Sequence, residues 1–310
     1  MRSPGIGGIC PFAQGRTADV GDWTAAGLVT SVAPLYWLVR MSDLPPNLRP
    51  DAFAGLADDY VRYRVPYPRE LLDGFLDEAR LSPGAHLLDL ACGPGRVALP
   101  IADRFAEVWA VDLEPDMIEA GRREAERLGI GNVHWVIGRA EDFDAPGGAF
   151  DLITIGEAFH RLDRSRIAAM AYDGLKPSGA FVTLGPRLAE ETAPPWRRVL
   201  AGVVLDFVGE PARRFGAPNA TRDQEVADEM QAIQDAGLVE VAVRSFAVPH
   251  DWTVETLLGN ARSNSTLSRR ALGERQGAFE AAARKALLAH DPSGRYREEI
   301  NWGYTIARRW

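Results

Sequence analysis

Across 310 residues the chain has only two cysteines, Cys10 and Cys92, and five histidines. Cysteines so few and so far apart leave no disulfide framework and no CxxC metal motif, so a reducing cytoplasm is the expected compartment. His86, His134, His160, His250 and His290 include no close pair, and no dedicated metal site is expected. Positive charge is also in short supply, with 35 Lys and Arg against 43 Asp and Glu and a net charge of −8. That balance argues against a nucleic-acid backbone as the main partner, because neutralising phosphates requires a basic surface. The mildly apolar run from Ala25 to Val39 is broken by Pro34 and is too short to span a bilayer, so no membrane partner is expected. An apolar content of 46% with 25% charged residues is ordinary for a globular domain able to bury a core.

What the chain does contain is alternation. Apolar strand patterns at Leu87–Leu90, Glu107–Val111, Val133–Ile137, Leu152–Ile155 and Ala180–Leu184 are separated by helical patterns. Strands alternating with helices predict a parallel sheet covered on both faces, with ligands bound outside the carboxyl ends of the strands. After Gly185 the order changes. Residues 188–237 carry helical patterns where one crossover would suffice, and they read as a helical insertion or lid. Val239–Val248 reads as a sixth strand, two helical stretches follow, and the INWGYTIARR segment reads as a closing strand. Residues 1–50 are expected to be a disordered or non-native extension, and 51–310 the folded domain.

The stretch HLLDLACGPGR (His86–Arg96) runs from a buried strand into a glycine turn, Gly93-Pro94-Gly95, and then into a helical pattern. Such a turn lets backbone approach a cofactor closely and points helix N–H groups at it. The spacing also fits the loose dinucleotide pattern, with Ala98 in its last position. Asp89 argues against a pyrophosphate there, since like charges cost roughly 4 kcal/mol at about 4 Å and an effective dielectric near 20. A cationic cofactor without phosphate suits it better. Asp112 ends the next apolar strand, 19 residues after Gly93, where a carboxylate can accept two ribose hydroxyls. Together these features point to S-adenosylmethionine (SAM), which carries an ammonium and a sulfonium.

The successive segments LLDLACGPGR, AVDLEPDMIEAGR, GRAEDFD, FDLITIGEAFHRLD and LKPSGAFV resemble the ordered motifs of class I SAM-dependent methyltransferases. The likeness is to the small-molecule "methyltransferase type 11" branch, which includes ubiquinone/menaquinone C-methyltransferases and trans-aconitate methyltransferase. The resemblance implies a Rossmann-like α/β fold: a seven-stranded, mostly parallel sheet with helices on both faces, an antiparallel last strand and a helical N-terminal cap. It implies SAM as cofactor, S-adenosylhomocysteine (SAH) as product and a small molecule as substrate. Cofactor contacts are expected from Tyr63 and Arg64 in the cap, from Asp89, Leu90, Ala91, Cys92, Gly93 and Gly95 in the first motif, and from Asp112, Leu113 and Met117 in the second. Ala140, Glu141 and Asp142 are expected at the adenine, and Gly156 at the end of the fourth strand.

Methyl transfer from a sulfonium mainly requires alignment, and a base is needed only for an acceptor that arrives protonated. His160, just past the fourth strand, is the residue expected to act as that base, with Glu157 beside it; Asp163 is expected to cap the helix that follows. Trp196, Phe207, Phe215 and Trp252 are available for an apolar substrate pocket or for the core. TIGEAF stands where the (D/N)PP(Y/F) of amino-methylating nucleic-acid and glutamine enzymes would be, and no Pro-Cys nucleophile appears. The sequence leaves two alternatives open. One is a SAM-binding protein that uses its cofactor non-reactively in a rearrangement or elimination; the other is an NAD-dependent dehydrogenase.

Overall fold

The structure is a computed structural model, and its described residues are 51–186, 193–208 and 219–310, with side chains in the last stretch from 226 onward. The expected N-terminal extension lies outside the described residues, as do parts of the expected insertion and Phe215.

Two helices precede the sheet, α1 (Ala57–Tyr63) and α2 (Arg69–Ala79). Leu71, Leu72, Phe75, Leu76 and Ala79 recur at helical spacing, so one stripe of α2 is buried. Strand β1 (His86–Leu90) leads through the glycine turn to the short α3 (Ala98–Ile101), and β2 (Glu107–Asp112) follows. Helix α4 (Pro115–Leu128) starts on a proline whose missing N–H costs nothing in the first turn. It stops at Gly129, whose φ of 71° lets Ile130 donate back to the Ala125 carbonyl at 2.9 Å. Then come β3 (Val133–Ile137), β4 (Phe150–Gly156), α5 (Arg164–Gly174) and β5 (Leu175–Pro186). Asp163 caps α5, accepting from Arg166 N at 3.1 Å.

The sheet order is β3-β2-β1-β4-β5-β7-β6. All pairs from β3 to β5 are parallel, and β7 runs antiparallel to both of its neighbours. Strand order reverses between β1 and β4, which makes their carboxyl ends the switch point where ligands bind in such sheets. Period-two alternation divides the core. Leu87, Leu152 and Val182 pack with α2 on one face, while Leu88, Leu90, Ile153 and Phe181 pack with α5 on the other. The same alternation aims Asp89 and Thr154, paired across β1 and β4, at the α2 face.

Helices α6 (Pro195–Val208) and α7 (Asn219–Asp235) follow β5. The last two strands are longer than their apolar patterns: β6 spans Val239–Thr253 and β7 spans Arg295–Arg308. The extra length forms because the two strands pair with each other, out to Thr253 opposite Arg295, beyond the last β5 contact at Pro186 opposite Trp302, and it carries Trp252 and Tyr296 into the core. Between them lies a second helical excursion, α8 (Val254–Arg262), α9 (Arg269–Leu272) and α10 (Gln276–His290). Helix α8 opens with a Thr253/Thr256 capping box and packs on α1, where a Cβ on Gly259 would lie 2.2 Å from Cγ of Tyr63. Helix α10 meets α6 through Phe207 and Phe279, whose ring centroids are 5.5 Å apart. No helix among the described residues is long and apolar enough to cross a membrane.

Candidate active site

At the carboxyl end of β1 the backbone leaves the strand through three left-handed residues, Ala91, Gly93 and Gly95, with φ of 51°, 54° and 80°. Gly95 is required for a second reason: a Cβ there would meet Trp135 at 2.8 Å and Leu99 at 2.9 Å. Cys92 is buried beneath the turn, its N–H bonded to Val111 O at 3.0 Å. Burial, then the nearby Asp112 and Asp89, push its thiol well above the usual range, so it stays protonated. Leu90 is fully buried and faces the core.

Asp112 ties the turn to β2. One carboxylate oxygen accepts from Gly93 N at 2.7 Å and the other from Glu114 N at 2.9 Å. Burial raises its pKa, while those two N–H groups pull the other way. Asp89 is fully buried; its Oδ1 accepts from Thr154 Oγ1 at 2.8 Å, and its Oδ2 has no partner. Desolvation pushes its pKa to about 7, against the hydrogen bonds from Thr154 and from the backbone of Ala98.

Glu157 is the counterpart of Asp89 across the switch point. It directly follows β4 in a left-handed conformation with φ 54°, a strained placement for a residue with a Cβ. Its carboxylate receives Arg96 Nη1 at 3.1 Å and lies 3.9 Å from Arg64 Nη1. Burial raises its pKa, but Arg96 and Arg64 more than offset this, and Glu157 is held below the usual carboxylate range. Arg96 and Arg64 also lie over the Tyr60 ring, at 5.6 Å and 4.9 Å from its centroid. Arg64 donates to Ser263 O at 3.2 Å, which joins the cap to the end of α8.

These ends enclose a cavity of about 290 Å³, within reach of the size usual for small-ligand sites. Of the residues singled out in the sequence, Ala91, Gly93, Asp112, Leu113, Met117, Ala140, Glu141, Gly156 and Glu157 line it. Asp89 and Cys92 border a void of about 10 Å³ that shares Tyr60, Ala91 and Gly156 with the cavity. Tyr63 is turned toward α8, and Tyr60, one helical turn earlier, takes the wall position. Asp142 points away and pairs with Arg166 at 3.1 Å. His160 is exposed and does not line the cavity. Trp196 and Trp252 belong to the core, with indole N–H groups bonded to Arg297 O at 3.3 Å and Glu298 Oε1 at 2.6 Å.

Phe53, Glu114, Arg139 and Arg161 are wall residues that the sequence reading did not single out. Glu114 accepts from Phe53 N at 3.3 Å, and burial pushes its pKa to about 7. Arg161 has a physical explanation. It ends a single 3-10 turn, Phe159–Arg161, in which successive side chains point about 120° apart. Phe159 enters the core, His160 faces outward and Arg161 faces the cavity.

Among the described residues no group of three or more His, Cys, Asp or Glu is placed to hold a metal ion.

Residues 87–179 match the family model described as a methyltransferase domain. The chain is 32% identical to the nocamycin O-methyltransferase of Saccharothrix syringae over 214 residues, covering 62% of this chain and 71% of that protein. It is 33% identical to the demethylmenaquinone methyltransferase of Symbiobacterium thermophilum over 115 residues, 36% of this chain and 46% of that one. Among solved structures it is similar in fold to the YcgJ protein of Bacillus subtilis, with a TM-score of 0.51 at 16% identity, covering 77% of this chain and 97% of that one. With a glycine turn, strand-end carboxylates and switch-point cavity in place, this chain belongs to the class I SAM-dependent methyltransferases.

Proposed function

We propose that this methyltransferase moves the methyl group of SAM to an oxygen of a small organic acceptor. The observation that carries the cofactor half of this reading is Asp89, a buried carboxylate with one oxygen lacking any partner, beside a void that shares Tyr60, Ala91 and Gly156 with the cavity. An unpaired buried acceptor costs about 1–3 kcal/mol or more, and a cationic ligand removes that cost. The donor set fits SAM: Asp112, Glu114, Glu141 and Glu157 give the wall an excess of carboxylates over Arg139 and Arg161. In this reading Asp89 faces the ammonium and Asp112 takes the ribose hydroxyls. Leu113 and Met117 flank the adenine, and Ala140 and Glu141 meet its edge.

When bound, SAM supplies an electrophilic methyl group on a sulfonium, and the protein's contribution is alignment, which can be worth on the order of 7–11 kcal/mol. Glu157, held ionised between two arginines, acts as a positioning residue that fixes the cap against the glycine turn. His160, exposed and off the cavity wall, is not assigned as a base, and an acceptor that arrives ionised needs none. Support for oxygen as the receiving atom comes from the likeness to an O-methyltransferase over most of that protein's length. Helices α6, α7 and the second excursion α8–α10 are proposed to form the acceptor side and its lid.

The test is calorimetric titration with SAM and SAH, followed by incubation with deuteromethyl-SAM and a panel of phenols, enols and carboxylic acids. Binding of both cofactor forms, with a labelled methyl recovered as an ether or ester, is the expected result. SAH release without a methylated product, or label on carbon or nitrogen alone, would overturn the oxygen assignment. His160→Gln should leave the rate with ionised acceptors unchanged across the pH profile, and a loss there would place His160 in the mechanism.

A further inference from the structure

Four arginines stand around the cavity, and three are engaged. Arg96 is bound by Glu157 and by the Val65 carbonyl, and Arg64 by Ser263 O and Glu157. Arg139 lies 3.4 Å from Glu141 and 3.5 Å from Asp142. Arg161 differs. Among the described residues its guanidinium has no hydrogen bond and no ion pair within 4.0 Å; its close neighbour is the Phe53 ring, 4.7 Å from the guanidinium carbon. Asp112 and Glu114 act on it only through space.

Five N–H donors on a half-buried side chain normally find acceptors, because a desolvated charge without partners is among the costliest arrangements in a protein. None of the Arg161 nitrogens is among the sealed, partnerless atoms of the interior. Its donors are therefore open to the cavity that the residue lines. The Phe53 face holds the guanidinium in place without using its in-plane donors, since the ring engages its charge and not its N–H groups. A planar fork presented this way matches an oxyanion in bidentate fashion.

We infer that Arg161 is a specificity-determining residue that binds an oxyanion of the methyl acceptor, a carboxylate or an ionised enol or phenol. The inference rests on the methyltransferase reading of the same cavity. The SAM methionine tail also carries a carboxylate, so the test separates the two sources.

Wild type, Arg161→Met and Arg161→Lys are first titrated with SAH, with thermal denaturation to confirm folding. The SAH-loaded proteins are then titrated with probe pairs that differ in charge and little in shape: benzoate and benzamide, cinnamate and cinnamamide, hexanoate and hexanamide. The expected result is that, for at least one pair, the acid binds at least tenfold tighter than its amide to wild type. That preference should disappear in Arg161→Met and persist in part in Arg161→Lys, with SAH affinity held within threefold. Equal binding of acid and amide in every pair, or a preference that survives in Arg161→Met, overturns the assignment. A loss of SAH affinity above tenfold in Arg161→Met assigns the guanidinium to the cofactor carboxylate and also overturns it. Failure of wild type to bind SAH strikes the proposed function instead, so the two readings fail separately.

Discussion

On one side of the switch point, β1, β2 and β3 build the proposed cofactor wall from residues close in sequence. The turn that leaves β1 is tied to the end of β2 by the Asp112 carboxylate and by the Cys92 N–H on Val111 O, and Gly93 and Asp112 are 19 positions apart. On the other side, β5, β7 and β6 carry two helical excursions whose contacts span much longer separations. Arg197 at the start of α6 is held by Glu298 of β7 across 101 positions, and Arg64 of the cap by Ser263 across 199. One wall is a local device repeated along the chain; the other is assembled by tertiary contacts. A wall assembled by distant contacts can change without disturbing the local one, and function follows the grafted site more than the fold.

Glu157 stands where the two regions meet, and removing it should have the largest effect. Glu157→Ala leaves Arg96 and Arg64, with side chains only 14% and 17% exposed, short of their shared counter-charge. A loss of about 3–5 kcal/mol is expected, read from the urea midpoint, together with weakened SAM binding. A stable variant with intact SAM affinity would show that the junction is dispensable. Asp112→Ala acts on the cofactor wall alone. It releases two backbone N–H groups and the proposed ribose acceptor, and SAM affinity should fall on the order of 100-fold at roughly 1.5–3 kcal/mol for each charged hydrogen bond lost, as read by calorimetry.

The opposite wall offers the matching control. Glu298→Ala strips the partner from Arg197 and from the Trp252 indole, and should destabilise the fold by about 1–3 kcal/mol while leaving SAH affinity within twofold. A parallel loss of SAH binding would show that the two regions are one cooperative unit.

The pH dependence sharpens the comparison of Asp89 with Glu157, two carboxylates of one site with opposite shifts. Asp89 ionises near pH 7 in the free protein, above its unfolded value of 3.8. Its contribution to stability is therefore full below the unfolded pKa and is lost as pH rises through about 7. Cation binding favours the ionised form, so SAM affinity should rise by up to about tenfold per unit as pH approaches 7 from below, with proton release. Asp89→Asn should flatten the part of that profile not owed to Glu114, which titrates in the same range. An unchanged slope would remove Asp89 from contact with the cation. The smallest effect is expected at Arg284→Ala, which breaks a 2.7 Å ion pair to Glu255 on an exposed face. The change should be within about 1 kcal/mol by thermal denaturation.

The strands, glycine turn and strand-end carboxylates of the proposed cofactor wall are legible because their signals are periodic and close together. Strand alternation, the two glycines and the carboxylates at strand ends all lie within about a helix and two strands of one another, as in any mononucleotide-binding unit. The acceptor wall was read less well. Helical patterns in 188–237 read as an insertion, and α6 and α7 occur there; the helical stretches between the sixth and closing strands correspond to α8–α10, but nothing local shows that they pack on α1 and α6. The outer ends of β6 and β7 are marked by only one buried aromatic each, Trp252 and Tyr296, set among charged residues, and Glu298 takes a buried position where an apolar residue would have continued the pattern. Asp142 and Glu141 show the same limit at the scale of one residue. Both are acidic and adjacent, yet a 3-10 turn sends one to the cavity and the other to Arg166.

The sequence by itself determined the alternating α/β layout, the glycine turn after β1 and the two carboxylates at strand ends. Those features follow from local backbone preference and from periodicities of two and about 3.6 residues. Only the tertiary structure decided which charges are neutralised. Glu157 is held ionised because Arg96 and Arg64 arrive from other segments, the Asp89 pKa is raised because its carboxylate is buried with no cation beside it, and Arg161 faces the cavity because one tight turn gave the core to Phe159. The state of a buried charge is set by what surrounds it in space, and residues distant in sequence supply most of those surroundings.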